Sequence, residues 1–215
     1  MIPKVIHCVW FGGKPFPPLD ERCFQTWKTH LPDYEVKIWN EENYSCNEPF
    51  FQKLLKKEKW AFCADYARLD ILLKYGGIYL DTDMEVLKPF DSMLHTKCFL
   101  GMESEKFISA GIIGCEMNNS FIKDSLEEVK KSLQVEFIPI PKILTKVYNN
   151  GDYKDVEIYP RDYFYPYNPF AYSIKNLMYI DVTERTHAIH HWNYSWKPSV
   201  SERVYAKIKK ALKLS

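Results

Sequence analysis

The sequence predicts one α/β domain with a mixed, mainly parallel sheet flanked by helices. Three observations support this prediction. The chain has 215 residues, a common size for a single domain. Its composition, with 46% hydrophobic and 27% charged residues, is that of a folded globular protein. Short apolar segments of strand length alternate with longer segments of helical periodicity, which is typical of α/β proteins.

Several segments in the first quarter of the chain predict secondary structure. Residues 5–11 are apolar and lead into a pair of glycines, which predicts a buried strand followed by a loop. Asp20 is placed to cap a helix. Glu35–Trp39 alternates polar and apolar residues, as expected for a strand with one covered face. A helix is predicted near residues 49–59.

The clearest helix prediction falls on Trp60–Tyr75, where apolar residues recur at helical spacing. The glycine pair that follows provides a left-handed stop. Residues 78–80 then form a short apolar strand that ends at the acidic triplet Asp81-Thr82-Asp83, and residues 84–87 are again extended in character. A helix, a strand and two carboxylates therefore adjoin one another.

The second half continues the mixed pattern. A buried strand is predicted at residues 107–115 and a helix at residues 119–133. Residues 161–172 are crowded with Tyr, Phe and Pro, which predicts an ordered aromatic loop. Residues 186–196 are rich in His and Trp. We expect a domain over residues 1–200 and a basic amphipathic helix over residues 201–215, which either packs on the domain or faces a membrane.

Charge and cysteine usage narrow the function classes. The chain carries 29 basic and 28 acidic residues, so no global field attracts nucleic acid. No apolar run of membrane-spanning length occurs, and no signal peptide is expected. The six cysteines are scattered, without the close pairs of a zinc site, and are expected to be reduced thiols. These features predict a cytoplasmic protein, and the membrane-facing alternative for the basic tail would add peripheral contact at the inner face of the membrane.

The acidic triplet carries the strongest chemical signal. Side chains two apart on a strand point the same way, so Asp81 and Asp83 can converge where the strand leaves the sheet, while Thr82 points away. Two carboxylates at such an edge suit Mg²⁺ or Mn²⁺, which complete their coordination with water and substrate phosphate. A solvated acidic turn is the alternative. Asp65 and Arg68 share one helix face nearby, and the alternative there is a surface ion pair.

These motifs together resemble the DXD-containing glycosyltransferases of family 32. The resemblance rests on the segments from Ala64 through Asp83, on the opening Ile2-Pro3-Lys4-Val5-Ile6-His7, and on the closing His190-His191-Trp192 with Asn193-Tyr194-Ser195-Trp196. That family includes bacterial capsule and exopolysaccharide transferases, with the clostridial glucosylating toxins as distant relatives. The resemblance implies a GT-A-like fold and a nucleotide-sugar donor.

The resemblance also implies roles for individual residues. Catalytic roles fall on Asp65, Arg68 and Asp83, and metal ligation on Asp81, Asp83, His190 and His191, of which only one histidine is expected to reach a shared ion. Nucleotide-sugar contacts fall on Val9, Trp10, Asn40, Asp65, Arg68, Tyr79, Asp81, Ser195 and Trp196. The Trp10 ring would stack on uracil, which favours a UDP-sugar.

The predicted activity is a metal-dependent, retaining sugar transfer to a glycan or lipid-linked saccharide. The aromatic loop could cover that acceptor or simply cover the sheet. Two alternatives stay open: a non-catalytic saccharide- or nucleotide-binding module, and a metal-dependent phosphate-ester hydrolase.

Overall fold

The computed structural model describes residues 1–135, 137–173 and 175–193. The strands in these residues are β1 (Val5–Val9), β2 (Glu35–Trp39), β3 (Gly77–Leu80), β4 (Met84–Val86), β5 (Cys98–Met102), β6 (Ile108–Cys115), β7 (Val156–Tyr159) and β8 (Ala188–His190). The α-helices are α1 (Pro18–His30), α2 (Pro49–Lys56), α3 (Trp60–Tyr75), α4 (Ser120–Gln134) and α5 (Ile140–Asn150). Short 3-10 helices lie at Asp91–Met93, Arg161–Tyr163 and Tyr179–Asp181.

Six strands form the main sheet in the order β2-β1-β3-β6-β5-β7. β1 pairs in parallel with β2 and β3, and β5 pairs in parallel with β7. β6 runs antiparallel to both of its neighbours. The predicted mixed, mainly parallel sheet is therefore confirmed. β4 and β8 form a separate antiparallel pair that places Met84 opposite His190.

Helices cover both faces of the sheet. Tyr79 belongs to a core cluster packed by α2 to α5, while Ile78 and Leu80 belong to a second cluster that includes Trp27 of α1. This division follows from the alternation of side chains along β3. The Trp27 indole also donates to the carbonyl of Met84 at 2.6 Å, which fixes α1 against β4.

Most of the predicted elements are confirmed, including α3 and its glycine stop. Gly76 and Gly77 have φ angles of +62° and +97°, and a Cβ on Gly77 would lie 2.7 Å from the carbonyl oxygen of Val5. A side chain there would both strain the backbone and clash with β1. The strand β3 thus starts at a position that only glycine fits well.

Two local predictions are wrong. Asp20 does not cap α1, because the helix begins at Pro18 and encloses Asp20 in its first turn, where it is 1% exposed. β2 has no covered face over most of its length, and Val36 and Ile38 are each 39% exposed. The reason is that β2 lies at the edge of the sheet, with β1 as its neighbour.

Two further features bear on the predictions. All six cysteines are buried and none forms a disulfide. Within the described ranges, no helix combines the length and the apolar character needed to cross a membrane. The predicted basic helix at residues 201–215 lies outside the described residues.

Candidate active site

A cavity of about 500 Å³ opens at the carboxyl ends of β1 and β3. Ligands of α/β proteins bind at this edge of the sheet. α3, the start of β6 and the end of β8 all contribute residues to its lining. The predicted site residues that line it are Val9, Trp10, Asp65, Arg68, Tyr79, Asp81, Asp83 and His190.

Asp81, Asp83 and His190 converge in this cavity. The two aspartates follow β3 in a tight turn, in which the Met84 N–H donates to the Asp81 carbonyl at 3.0 Å. The pairing of β4 with β8 then brings His190 beside them. His190 Nε2 lies 3.2 Å from Asp83 Oδ1 and 3.9 Å from Asp81 Oδ2. One ligand atom from each residue lies within 4.8 Å of the others.

The cluster concentrates negative charge in a poorly solvated place. Burial opposes ionisation of Asp83, but His190 and the Asn193 N–H outweigh it and lower the pKa of this carboxyl. Burial also opposes protonation of His190, but the charges of Asp83 and Asp81 raise the pKa of its imidazole. The cluster therefore attracts a cation.

The donor set fits a divalent metal ion. Two carboxylate oxygens and one imidazole nitrogen suit Mn²⁺, and the carboxylates also suit Mg²⁺. His190 Nδ1 is buried and has no hydrogen-bond partner among the described residues. The contacts of Nε2 with Asp81 and Asp83 therefore orient the ring. Three protein ligands would leave open positions for substrate oxygens, which matches the chemistry of a nucleotide-metal site.

Arg68 links the cluster of Asp81, Asp83 and His190 to α3. Its guanidinium donates to Asp65 and to Asp81, each at 3.0 Å, and to the carbonyl of Ala110 at 2.9 Å. The Tyr79 hydroxyl donates to the same oxygen of Asp81, Oδ1, at 2.8 Å. Asp81 Oδ1 is thus engaged by Arg68 and Tyr79, while Oδ2 faces His190.

Asp65 is a buried carboxylate with an unusual proton affinity. Burial raises its pKa to about 6, in spite of the neighbouring Arg68 charge. Its side chain is 14% exposed and lines the cavity. A polar substrate group that donates a hydrogen bond to Asp65 would replace the solvent that burial removes. Asp65 and Arg68 therefore form a partly enclosed pair that lines the cavity, and not the surface ion pair that was the alternative.

The far end of the cavity is aromatic. The Trp10 indole donates to the Lys14 carbonyl at 2.6 Å, and its ring lies 4.8 Å from that of Phe16. Trp60, at the start of α3, packs so closely on Gly12 that a Cβ there would lie 3.0 Å from the indole. This end offers flat apolar faces to a planar group.

Two predicted site residues in the described part of the chain, Asn40 and His191, do not line this cavity. Asn40 lies in the turn after β2, where its backbone N–H donates to the side chain of Asn43 at 2.8 Å. His191 Nε2 lies 2.7 Å from Glu85 Oε2, because adjacent residues on an extended segment face opposite ways. Ser195 and Trp196 lie outside the described residues.

Asp20 supports the site, a role that sequence reasoning missed. Its two carboxylate oxygens accept hydrogen bonds from Thr82 at 2.6 Å and from the Asn193 side chain at 2.8 Å. The backbone N–H of Asn193 in turn donates to Asp83 Oδ2 at 2.6 Å. A residue of α1 therefore holds the acidic triplet and the segment after β8 together, and no local sequence signal indicates this pairing.

Comparison with known proteins agrees with this geometry. Residues 17–100 match the family model described as the glycosyltransferase sugar-binding region containing the DXD motif. The matched range includes α3 and the Asp81-Thr82-Asp83 triplet. Inositol phosphoceramide mannosyltransferase 3 of Schizosaccharomyces pombe is 29% identical over 160 residues, which are 70% of this chain and 42% of that protein. The chain therefore spans less than half the length of this yeast relative.

A viral relative and a solved structure extend the likeness along the chain. Uncharacterized glycosyltransferase L373 of Acanthamoeba polyphaga mimivirus is 28% identical over 220 residues, covering 92% of this chain and 85% of that protein. The galactosyltransferase LgtC, solved with donor and acceptor sugar analogs, matches with a TM-score of 0.51 at 13% identity, covering 96% of this chain and 95% of that one. This likeness shows a GT-A fold, as predicted. Residues 17–100 are thus similar to a DXD-containing glycosyltransferase region, in a chain that has this fold.

Proposed function

We propose that the chain is a metal-dependent glycosyltransferase that moves a hexose from a nucleotide sugar to a hydroxyl group of a glycan or lipid-linked saccharide. The observation that carries the proposal is the convergence of Asp81, Asp83 and His190 within 4.8 Å, in the same cavity as Asp65 and Arg68. The matched family region supports the reaction class. The proposed site set is the predicted one, without Asn40 and His191.

We propose one orientation for a nucleotide sugar in the cavity. The aromatic end at Val9 and Trp10 suits the base, which would stack on the indole ring. Asp65 and Arg68 suit the sugar hydroxyls and the diphosphate, because a buried carboxylate and a guanidinium match those groups. In this orientation, the cluster of Asp81, Asp83 and His190 would lie next to the diphosphate. Ser195 and Trp196 remain predicted contacts of the nucleotide sugar.

Sugar transfer requires the nucleoside diphosphate to leave, and negative charge develops on it as it does so. A divalent metal held by Asp81, Asp83 and His190 would neutralise the charge that develops on the diphosphate. Arg68 adds a fixed positive charge beside Asp81, and Asp20 and Asn193 hold Asp83 in place. Retention of the anomeric configuration rests on the resemblance to retaining transferases and is part of the proposal.

The names of the relatives bear on the donor and the acceptor. One is a mannosyltransferase acting on inositol phosphoceramide, and LgtC is a galactosyltransferase. Both names support hexose transfer, and the first supports a lipid-linked acceptor. A UDP-sugar remains the proposed donor because of Trp10, and GDP-mannose is the competing donor. We propose that the enzyme works in polysaccharide or glycolipid synthesis at the cytoplasmic surface of a membrane.

Product analysis tests this function. The protein is incubated with Mn²⁺, an alkyl glycoside and each of several UDP-hexoses or GDP-mannose, and free nucleotide and glycosylated product are measured. We expect one donor to give nucleotide release that requires the metal, stops with a chelator and accelerates with acceptor. Donor binding without turnover would favour a non-catalytic module. Release of phosphate from simple phosphate esters without sugar transfer would favour a hydrolase.

A further inference from the structure

One side of the cavity is apolar and has no part in the proposed donor site. We call it the apolar wall, and its members are Phe62, Phe137, Pro139, Ile140 and Pro141. None of these five side chains carries a charge or a hydrogen-bonding group. The rings of Phe62 and Phe137 stack, with their centroids 4.1 Å apart and their planes at 22°. Phe137 is 42% exposed, so the stacked pair leaves part of its apolar surface uncovered.

Hydrogen bonds hold the apolar wall against the neighbouring elements. The Ile138 N–H donates to the Ser132 hydroxyl of α4 at 2.8 Å. The Thr145 hydroxyl of α5 donates to the Pro141 carbonyl at 2.7 Å and accepts from the Ile108 N–H at 2.9 Å. Ile108 is the first residue of β6. The apolar wall is therefore an ordered surface, fixed beside the start of β6.

The apolar wall lies away from the end of the cavity that suits the base. Trp60 packs on Gly12, which follows β1, whereas Phe62 packs on Phe137. Residues two apart on a helix point in directions about 200° apart, so these two contacts lie on opposite sides of α3. In the sheet, β3 separates β1 from β6. The proposed base site and the apolar wall are thus separated by α3 and β3, whose residues are proposed to bind the sugar and the diphosphate.

We propose that the apolar wall binds the hydrocarbon chain attached to the acceptor saccharide. This inference rests on the proposed transferase function. The hydroxyl groups of a donor sugar need hydrogen-bonding partners, which these five side chains do not provide. A hydrocarbon chain needs no such partner, and its contact with the wall removes apolar surface from water. The apolar wall would therefore select acceptors by the group that is attached to their saccharide.

The test measures KM for the acceptor sugar that is active with wild-type protein, supplied as its methyl glycoside and as its octyl glycoside below the micelle concentration. Wild type is compared with Phe137→Ala and Ile138→Ala, after thermal unfolding shows that each variant is folded. Ile138 is the matched control, because it is the next residue, is also 42% exposed and does not line the cavity.

We expect wild type to have a KM about 10-fold or more lower for the octyl glycoside, because each buried methylene favours binding. Phe137→Ala should lose most of this difference and keep its KM for the methyl glycoside and for the nucleotide sugar. Ile138→Ala should behave as wild type.

The other outcomes separate this inference from the proposed function. Equal KM values of wild type for the two glycosides, or an unchanged preference in Phe137→Ala, would overturn the inference and leave the transferase function standing. A raised KM for the nucleotide sugar in Phe137→Ala would also overturn it, because the wall would then contact the donor. Absence of transfer by wild type with every donor and glycoside would overturn both proposals.

Discussion

Of the two adjacent histidines, His190 faces Asp83 and His191 faces Glu85. The alternation of side chains indicates that only one of the two histidines reaches the aspartates, but it does not indicate which one. The answer depends on the register of β4 and β8, which pairs Met84 with His190. That pairing joins residues far apart in the chain. By contrast, the convergence of Asp81 and Asp83 could be predicted from local sequence, although a tight turn after β3 brings them together and not the alternation of side chains along a strand.

Asp20 could not be predicted, for a related reason. Asp20 has the residue type of a helix cap, and its burial against Thr82 depends on how α1 meets the sheet edge.

At the scale of single residues, His7 leads to a prediction about how the stability of the protein depends on pH. The Trp39 indole donates to His7 Nδ1 at 3.1 Å, and Nε2 lies 2.9 Å from the carbonyl oxygen of Gly76. These contacts fit a neutral ring with its proton on Nε2, since protonation of Nδ1 would break the bond from Trp39. Burial accordingly lowers the pKa of His7 to about 4.

The unfolded chain binds a proton at His7 near its ordinary pKa, and the folded protein does not. The contribution of His7 to the free energy of unfolding is therefore fully present above about pH 6.5. It is lost as pH falls towards 4. The loss is about 3 kcal/mol at most, at 1.36 kcal/mol per pKa unit. Urea unfolding from pH 7 to 4 should show a steeper fall for wild type than for His7→Gln. Equal slopes, or an NMR titration of His7 near 6.5, would contradict this account.

At the scale of elements, the local sequence pattern predicted helices and strands correctly where their periodicity is strong and their ends are marked. α3 and β3 are of this kind, because apolar spacing and the glycine pair mark them. β5, β7, β8 and α5 were not predicted. β8 has three residues and exists through its pairing with β4. α5 carries a proline in its first turn and several β-branched residues, which weaken its helical signal.

The contact of α1 with the acidic triplet makes a prediction about metal affinity. Asp20→Asn keeps the side-chain shape but replaces one accepting oxygen with a donating amide NH2 group, so Thr82 or Asn193 loses its acceptor. Loss of such an outer partner lowers metal affinity by about 10-fold or more. We expect a weaker apparent Mn²⁺ affinity for Asp20→Asn, measured by titrating Mn²⁺ in the nucleotide-release assay.

Glu21→Gln is the matched control for this measurement. Glu21 is the next residue of α1, and it is exposed. Its substitution should leave Mn²⁺ affinity unchanged. If both variants bind Mn²⁺ as tightly as wild type, Asp20 has no part in holding the metal site.

At the scale of the whole molecule, the order of strands in the sheet brings the site residues together. β1, β3 and β6 are neighbours, so Trp10, Asp81 and Gly111 all reach one cavity although they come from distant parts of the chain. The sequence predicted the α/β class, and the family resemblance implied the GT-A-like fold. The strand order and the position of β2 at the edge depend on long-range packing, which a local pattern does not encode.

Ligand binding should stabilise the whole domain through this shared cavity. A nucleotide at about 100 times its Kd adds about 2.7 kcal/mol to the free energy of unfolding. For a chain of this size the melting temperature should rise by roughly 5–10 °C. We expect the correct nucleotide to give this rise with Mn²⁺ and a much smaller one with a chelator. An equal rise in both conditions would show that nucleotide binding does not use the metal.

The central claim is that Asp81, Asp83 and His190 hold a metal ion on which sugar transfer depends. The most direct test measures Mn²⁺-dependent nucleotide release by Asp83→Asn, His190→Ala and His191→Ala, after thermal unfolding shows that each variant is folded. His191→Ala removes a neighbouring imidazole that contacts Glu85, so it is a matched control. We predict losses of about 100-fold or more for the first two variants, since a bound metal stabilises the leaving group by several kcal/mol, and near wild-type release for the third. Full release by Asp83→Asn or His190→Ala, or equal losses for the two histidine variants, would contradict the account.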